Sequence, residues 1–249
     1  SEYQDQTGQP DFDSAELTFT YNQLFRETRF SGRDRIDDSD QLSVGMTTRY
    51  IDRENGREEF NASIGQIFYL RDRKVRLLPL DEPLDESSSE IAGEFTFTPN
   101  QQIQFRSSLI WDPHSGNMNS GHVLASYTPD NGSIFNIGYS YRRPLTTVNT
   151  QPVTEEASFS AYFPLDDNWR FFAAIDYSVE ANTSVEDMAG LEYDNCCWTV
   201  RLLHLRYYDN VTGQNPDFNN PDLEREHSTQ IQIVLKGMGG FGNRITSIM

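Results

Sequence analysis

The chain has 249 residues, of which 36% are hydrophobic and 12% aromatic, and it carries 38 acidic against 20 basic residues. The aromatic content excludes a disordered chain, and the net charge of −18 disfavours binding to nucleic acid. The longest apolar stretches, 171–175 and 233–235, are far shorter than the ~20 residues of a membrane helix. Membrane β-strands stay possible, because they alternate apolar and polar residues and therefore have a polar average hydropathy.

A period of two in the apolar residues runs along almost the whole chain and predicts an all-β fold. In chain order, the predicted strands are 13–21, 41–51, 58–70, 89–98, 102–111, 120–128, 133–142, 155–163, 168–178, 185–193, 197–208 and 228–236. Most of these twelve strands approach the ~9–11 residues with which a tilted strand crosses a bilayer.

The links between the predicted strands alternate in length. The short links are 52–57, 99–101, 129–132, 164–167 and 194–196, and the longer ones are 22–40, 71–88, 112–119, 143–154, 179–184 and 209–227. Asn55-Gly56 and Asp130-Asn131-Gly132 have the composition of tight hairpin turns. Short turns on one side and long loops on the other are typical of antiparallel transmembrane β-barrels. A soluble β-sandwich that binds a glycan and an ordinary diffusion porin are the alternatives.

Alternation assigns two faces to each strand. The side chains that we expect to face lipid are Phe135, Ile137, Tyr139, Trp169, Phe171 and Ile175. The opposite face is expected to be small or polar, so that an arginine would be tolerated better at Gly138 or Ala174 than on the lipid face.

Other polar groups give no sign of an enzyme, a metal site or a cofactor. The four histidines (His114, His122, His204 and His227) lack zinc-ligand spacing and are placed on a loop, a strand start, a strand and a loop. The glycine-rich stretch 237–242 is expected to be a flexible strand exit. The acidic clusters 37–40 and 81–86 are expected to be solvated loops.

The two cysteines are adjacent, Cys196-Cys197. Neighbours on a strand point to opposite faces, so a bond between them is unfavourable. Oxidation would then require partners outside these 249 residues, whereas a pair of buried free thiols is the alternative. Because short and long links alternate along the chain and the link 194–196 is short, both cysteines are expected at the end of the strands where the short turns lie.

Four segments, 24–36, 60–69, 190–198 and 234–240, resemble the C-terminal half of the barrel of the LptD (OstA/Imp) family, the outer-membrane LPS-assembly proteins. The vicinal cysteines followed by Trp198 are the most specific element. Residues 1–249 would then form about twelve strands of a barrel of some twenty-six, and both chain ends are interpreted as cuts in a longer polypeptide without its signal peptide, jelly roll and first barrel half.

The resemblance implies transport of lipopolysaccharide (LPS) to the outer leaflet of a Gram-negative outer membrane, without catalysis. It also implies a plug formed by the lipoprotein LptE, and an N-terminal jelly roll that receives LPS from an LptA bridge. Cys196 and Cys197 would form disulfides with cysteines near the N-terminus. A lateral gate would involve the strand near 228–236, whose candidate residues are Thr229, Ile231, Ile233, Leu235 and Gly237.

Overall fold

The computed structural model describes residues 3–6, 12–76, 85–144, 153–208, 224–236 and 239–241. In these residues, one short 3-10 helix, η1 (Tyr21–Phe25), precedes twelve strands. The strands are β1 (Gln41–Ile51), β2 (Glu58–Tyr69), β3 (Ile91–Phe97), β4 (Ile103–Asp112), β5 (Asn117–Tyr127), β6 (Ile134–Arg142), β7 (Thr154–Pro164), β8 (Trp169–Ser178), β9 (Thr183–Asp194), β10 (Trp198–Tyr208), β11 (Arg225–Leu235) and β12 (Gly239–Phe241). They are hydrogen-bonded in the order in which they follow one another along the chain. Within these ranges, no helix is long and apolar enough to cross a membrane.

The chain divides into two compact units. The first comprises residues 1–99, 106–122 and 141–153, and the second comprises 100–105, 123–140 and 154–249. The antiparallel ladder β1-β2-β3 belongs to the first unit, and the ladder from β7 to β12 belongs to the second.

Eleven of the predicted strands are confirmed, with ends that differ by at most three residues. The strand predicted at 13–21 is wrong. In its place, Glu16 forms an isolated bridge with Phe30, and the chain turns into η1 at Tyr21, which directs Leu24 into the core. Strand β12 was not predicted, because its glycines carry no apolar alternation.

The short links are confirmed after the odd-numbered strands, at 52–57, 98–102, 128–133, 165–168 and 195–197. After the even-numbered strands, however, the predicted long links 112–119 and 179–184 are wrong, because both are four-residue turns, 113–116 and 179–182. Gly116 (φ 71°) and Asn182 (φ 51°) take up the left-handed conformation that closes these turns. The Asp112 carboxylate stabilises the first turn by accepting hydrogen bonds from His114 N and Ser115 Oγ.

A segment ahead of β1 covers one face of β1 and β2 in the first unit. Leu24 is fully buried there, above a pair of glycines, Gly45 and Gly65, that are directly opposite in the register. A Cβ at Gly65 would lie 2.6 Å from Leu24 Cδ1, and one at Gly45 would lie 2.7 Å from Phe25 Cζ. The absence of side chains at Gly45 and Gly65 therefore leaves the space that Leu24 and Phe25 occupy.

Residues 29–38 are tied to residues 74–75 by buried charges. Asp38 (2% exposed) accepts hydrogen bonds from the backbone N–H groups of Lys74 (2.8 Å) and Val75 (3.4 Å). Asp37 forms an ion pair of 2.7 Å with Arg29, whose guanidinium also donates to the carbonyl of Val75. The expectation that residues 37–40 form a solvated loop is thus wrong for Asp37 and Asp38, because both carboxylates bind buried donors.

The second acidic cluster falls mostly outside the described residues, since 81–84 are not among them. Its remaining members, Asp85 and Glu86, are exposed, as expected.

A compact apolar cluster lies on one face of strands β7 to β10 in the second unit. Its buried members are Phe172, Met188, Leu203 and Leu205, with Tyr162, Ala174 and Tyr207 packed against them. This face was expected to be small or polar, and that expectation is wrong here. Gly190 allows the cluster to form, because a Cβ at this position would lie 2.3 Å from Phe172 Cζ.

We expect Gly65→Ala to destabilise the first unit by about 1–3 kcal/mol, since the added methyl group overpacks the site of Leu24 and meets the carbonyl of Val44 at 2.7 Å. Thermal unfolding in detergent measures the change. The matched control is Gly93→Ala in β3, where the nearest atom to the new Cβ, Ser63 O, is 3.9 Å away. Equal unfolding temperatures of the two variants would contradict the packing described.

Candidate functional site

An apolar face of the second unit is open to its surroundings. On β6, Ile137 is 62% exposed and Tyr139 is also exposed, whereas Gly138 between them is buried and would place a Cβ 2.3 Å from Ser158 Oγ. On β8, Trp169 and Ile175 are exposed, and Phe171 is half-buried on the same face. Phe135, half-buried, stacks on Tyr127 with a centroid distance of 6.3 Å. All six residues predicted to face lipid therefore lie on one side of their strands, and lipid contact itself stays a prediction.

The open face continues on β10 and β11. Leu202 pairs with Ile231 and Trp198 pairs with Leu235 in the register, and all four side chains are exposed. Their neighbours in sequence, Leu203 and Gln232, are buried on the opposite face. Alternation thus separates the two faces strictly in these strands.

The first unit has the same arrangement. Leu42, Val44 and Met46 of β1 are exposed, and Met46 lies opposite the exposed Ile64 of β2. Thr47 points to the other face, where its hydroxyl contacts the Tyr21 hydroxyl at 3.0 Å.

Aromatic rings collect near the short links. Tyr193 is 5.0 Å from Trp169 and 5.0 Å from Trp198, measured between ring centroids, next to the links 165–168 and 195–197. In the first unit, Phe60 lies opposite Tyr50 beside the link 52–57 and is 5.4 Å from Phe95. Aromatic rings at strand ends that flank an aliphatic band are typical of the interfacial girdles of membrane barrels.

The opposite face of β8 to β11 carries a charged network near the turn 195–197. Glu192, which is buried, is bound by Arg201 and lies 3.4 Å from Arg170. Arg201 also donates to Gln232 at 3.1 Å. These strands therefore have an exposed apolar side and a side on which charges are paired.

The cysteines lie in the turn 195–197, after β9 ends at Asp194 and before β10 begins at Trp198. Both are exposed free thiols, and their Sγ atoms are 2.7 Å apart. The premise that they diverge as neighbours on a strand is wrong, because the turn brings the sulfur atoms together. The alternative of buried free thiols is also wrong, since both are exposed, and no disulfide to another residue is tested by this structure.

Several contacts hold this turn. Asn195 N donates to Trp198 O at 3.0 Å, and Lys236 N donates to Cys197 O at 2.9 Å. The Lys236 ammonium binds the Asp194 carboxylate at 2.6 Å, and Thr199 Oγ1 donates to the same carboxylate oxygen at 2.6 Å.

The hydrogen bond between the two thiols raises the pKa of Cys196, burial raises it further, and the positive charge of Lys236 acts in the opposite direction.

The neighbouring short turn is stabilised by a carboxylate. Asp166 accepts hydrogen bonds from the backbone N–H groups of Trp169 (2.7 Å) and Asn168 (2.8 Å), and these donors lower its pKa. Asn168 in turn donates to Asp194 O at 2.8 Å, so the turns 165–168 and 195–197 are linked.

The candidate gate residues Thr229, Ile231, Ile233 and Leu235 lie on β11, which has neighbours on both sides. Gly237 lies outside the described residues. His227, expected on a loop, belongs to β11, and its ring stacks on His204 at 5.9 Å. His204 Nδ1 is 3.0 Å from Thr229 Oγ1. Gating by this strand stays a prediction.

Sequence reasoning missed two features of this region. Neither the pairing of Lys236 with Asp194 nor the paired Arg170, Glu192 and Arg201 follows from spacing, because the partners come from three strands and from a residue that follows β11. The one indication is the predominance of arginine, with only Lys74 and Lys236 as lysines in the chain, since arginine suits charges that hold a carboxylate in a fixed geometry. Within the described ranges, no group of three or more His, Cys, Asp or Glu residues is arranged to hold a metal ion.

Strands with an open aliphatic face and aromatic rings at their ends fit the wall of a membrane β-barrel as a class of protein. The family model described as "LPS transport system D" (LptD) matches residues 1–169. LPS-assembly protein LptD of Pseudomonas putida is 35% identical over 99% of this chain and 29% of its own length. Its counterparts are 36% identical in Pseudomonas aeruginosa (97% of this chain, 29% of that protein) and 33% identical in Nitrosococcus oceani (99% and 31%).

The chain therefore belongs to the LptD family. It spans about three tenths of the length of these relatives.

We expect Ile137→Arg to impair membrane assembly by about 2–4 kcal/mol if the residue lies near the bilayer midplane, because a guanidinium on the open face would enter lipid. The folded fraction in isolated outer membranes, resolved by its heat-dependent mobility on gels, is the measurement. Ser140→Arg, on the opposite face of the same strand, is the control and is expected to assemble better. Gly138 and Ala174 are unsuitable controls, since Gly138 is tightly packed and Ala174 packs against the apolar cluster.

Proposed function

We propose that this chain forms the C-terminal part of an outer-membrane β-barrel that transports LPS and assembles it into the outer leaflet. The observation that carries the proposal is the open apolar face of the strands in a member of the LptD family. A soluble sandwich would bury such a face against a second sheet, whereas lipid would cover it in a barrel.

The two faces suit an amphiphilic substrate. A sugar and phosphate head group needs a wet, polar path, and acyl chains need access to lipid. A closed wall satisfies the hydrogen bonds of its own backbone within a membrane. The paired charges around Glu192 keep the inner wall polar without leaving an isolated buried charge.

A lateral gate needs a weak strand pair. The resemblance to the LptD family places this seam near β11, and the candidate residues are Thr229, Ile231, Ile233, Leu235 and Gly237.

The proposal includes the partners that the resemblance implies. LptE would plug the barrel of some twenty-six strands, and an N-terminal jelly roll would receive LPS from the LptA bridge. The role is transport without a chemical reaction on the substrate. Cys196 and Cys197 would tie the barrel to the N-terminal region through disulfides, as their exposure on a short turn allows.

Depletion of the protein in its own organism is expected to stop newly made LPS from reaching the cell surface, because no other path across the outer membrane would replace the barrel. Pulse-labelled LPS is measured in separated inner and outer membranes and at the surface of intact cells. The wild-type gene restores delivery, and the gene carrying Ile137→Arg restores it poorly. Normal delivery of LPS in fully depleted cells would overturn the proposed function.

We expect non-reducing peptide mapping of the intact protein to show Cys196 and Cys197 bonded to cysteines outside residues 1–249. Closing such long loops would stabilise the protein by roughly 4–5 kcal/mol in the chain-entropy account. A single Cys196→Ser or Cys197→Ser change is expected to be partly tolerated, and the double change to lower the amount of functional protein. A Cys196–Cys197 bond, or two free thiols in the mature protein, would contradict this assignment.

A further inference from the structure

The open face of the second unit changes from apolar to polar toward one corner. The register of β8 to β11 places residues of this face in rows that cross all four strands. One row is apolar throughout and consists of Phe171, Leu191, Leu202 and Ile231. The next row consists of Ala173, Ala189, His204 and Thr229, and the row after it of Ile175, Asp187, Arg206 and His227. In these two rows the residues on β8 are apolar, whereas those on β10 and β11 are polar.

The residues of this region, which we call the polar corner, are Asp187, His204, Arg206, Arg225, His227 and Thr229. Arg225 belongs to it because it lies opposite Tyr208 in the register, one row beyond Arg206. The guanidinium of Arg206 binds the Asp187 carboxylate, and the rings of His204 and His227 stack. Among the described positions on the open face of β9 to β11, Asp187 is the one acidic residue. The polar corner therefore has two guanidiniums for a single carboxylate.

Arg225 is held by neutral groups in the described part of the chain. Its guanidinium donates hydrogen bonds to Tyr208 Oη at 3.0 Å, to Thr183 Oγ1 at 2.9 Å and to Ser184 O at 2.7 Å. These contacts fix the orientation of the guanidinium and leave its positive charge available to an anion.

The polar corner lies too deep to be an ordinary interfacial band. On β10, His204 is six residues beyond Trp198, which is ~20 Å along a strand at ~3.4 Å per residue and about 16 Å in depth at a tilt of ~40°. Arg206, eight residues beyond Trp198, is about 21 Å deep by the same geometry. The apolar band of outer-membrane barrels is ~25 Å tall, so both side chains fall inside it when Trp198 marks its border on the short-turn side. Because acyl chains offer no partners to charged groups, the polar corner needs a polar occupant.

We propose that the polar corner binds a phosphate group on the head group of a lipid that lies against the outer side of the barrel wall, while the apolar row beside it contacts the acyl chains of the same lipid. The guanidinium fork matches the oxygens of a phosphate, and the imidazoles of His204 and His227 add further N–H donors. The inference rests on the proposed function and deepens it, because it gives newly delivered LPS a binding site beside the candidate gate strand β11.

Two observations favour this occupant over a protein. The polar corner is continuous with the apolar row through Leu202, so its ligand needs an anionic part and a large apolar part on one molecule. Its surplus of guanidiniums also makes it complementary to an anion, in a chain whose overall charge is −18. A lipid with several acyl chains and a phosphorylated head group meets both conditions.

The test is photo-crosslinking of lipid to the full-length protein, purified from outer membranes with its bound subunits and held in micelles of a phosphate-free, non-ionic detergent. Ala189→p-benzoylphenylalanine puts the reactive group in the row of His204, at an exposed position without a polar side chain. The probe is lipid A with its phosphates, compared with the same lipid A after phosphatase treatment. We expect removal of the phosphates to lower the yield of crosslinked lipid about tenfold, the factor for one lost hydrogen bond to a charged group.

Ile137→p-benzoylphenylalanine, on the open face of β6, is the control for capture of lipid by the apolar face alone. Its yield is expected to be the same with both forms of lipid A. An equal dependence on phosphate at both positions would contradict a specific site at the polar corner.

Arg225→Gln, combined with the reactive group at Ala189, removes one of the two guanidiniums. It is expected to lower capture of phosphorylated lipid A about threefold, and Arg225→Lys is expected to restore most of it. The matched control is Arg49→Gln, which removes a 60% exposed arginine of the first unit and is expected to leave the yield unchanged.

Inorganic phosphate in excess is not expected to compete, because it lacks acyl chains. Competition by inorganic phosphate, equal capture of the two forms of lipid A at Ala189, or an equal loss in Arg49→Gln would overturn the inference. The comparison of the two lipids leaves the polar corner unchanged, so it decides even if Arg225→Gln fails to fold. A negative result here, with LPS delivery still lost on depletion of the protein, would overturn the binding site and leave the proposed function standing.

Discussion

The alternation of side chains across antiparallel strands is the constraint on which the rest of this structure depends. A shift of one residue in any ladder would exchange the open apolar face for the opposite face. The register excludes such a shift through specific close contacts. Gly65 lies opposite Gly45 and under Leu24, where a residue with a Cβ would clash with the Leu24 side chain. Gly190 lies beside Phe172, where a Cβ would clash with the ring. In both places, the absence of a side chain on one strand is matched by a large apolar side chain that comes from another element.

The face opposite the apolar one is built differently in the two units. In the first unit, a segment of the chain itself covers it, with Leu24 buried and Asp38 bound to the backbone of Lys74 and Val75. In the second unit, the side chains of neighbouring strands fill it, with the apolar cluster around Phe172 in one part and the ion pairs of Glu192 in another. A buried carboxylate is costly unless it is paired, and in each case the partners are supplied across strands or links.

The strands and the open face could be predicted from the sequence, because both depend on residues two positions apart. Ile137, Tyr139 and Ile175 lie on the side that alternation assigns to them. The segment around Leu24 could not be predicted in this way. Its apolar residues have no regular period, since their positions are set by the glycine pair in β1 and β2. Asp37 and Asp38 were misjudged for the same reason, because a carboxylate in a charged stretch gives no local sign of partners such as Arg29 or the backbone of Val75.

The turn 195–197 shows how a small error in a strand boundary changes the chemistry that is expected. With β10 beginning at residue 197, the cysteines would diverge and act separately. With β10 beginning at Trp198, both lie in the turn, and their sulfur atoms are 2.7 Å apart. A disulfide partner of the kind proposed above would then have to compete with a neighbour that is already in contact. Lys236 fixes the backbone of this turn through Cys197 O and binds Asp194 in front of it, while both thiols stay exposed. The ion pair beside the turn thus ties β11 to β9, because Lys236, directly after β11, binds the last residue of β9 and the backbone of the turn that follows it.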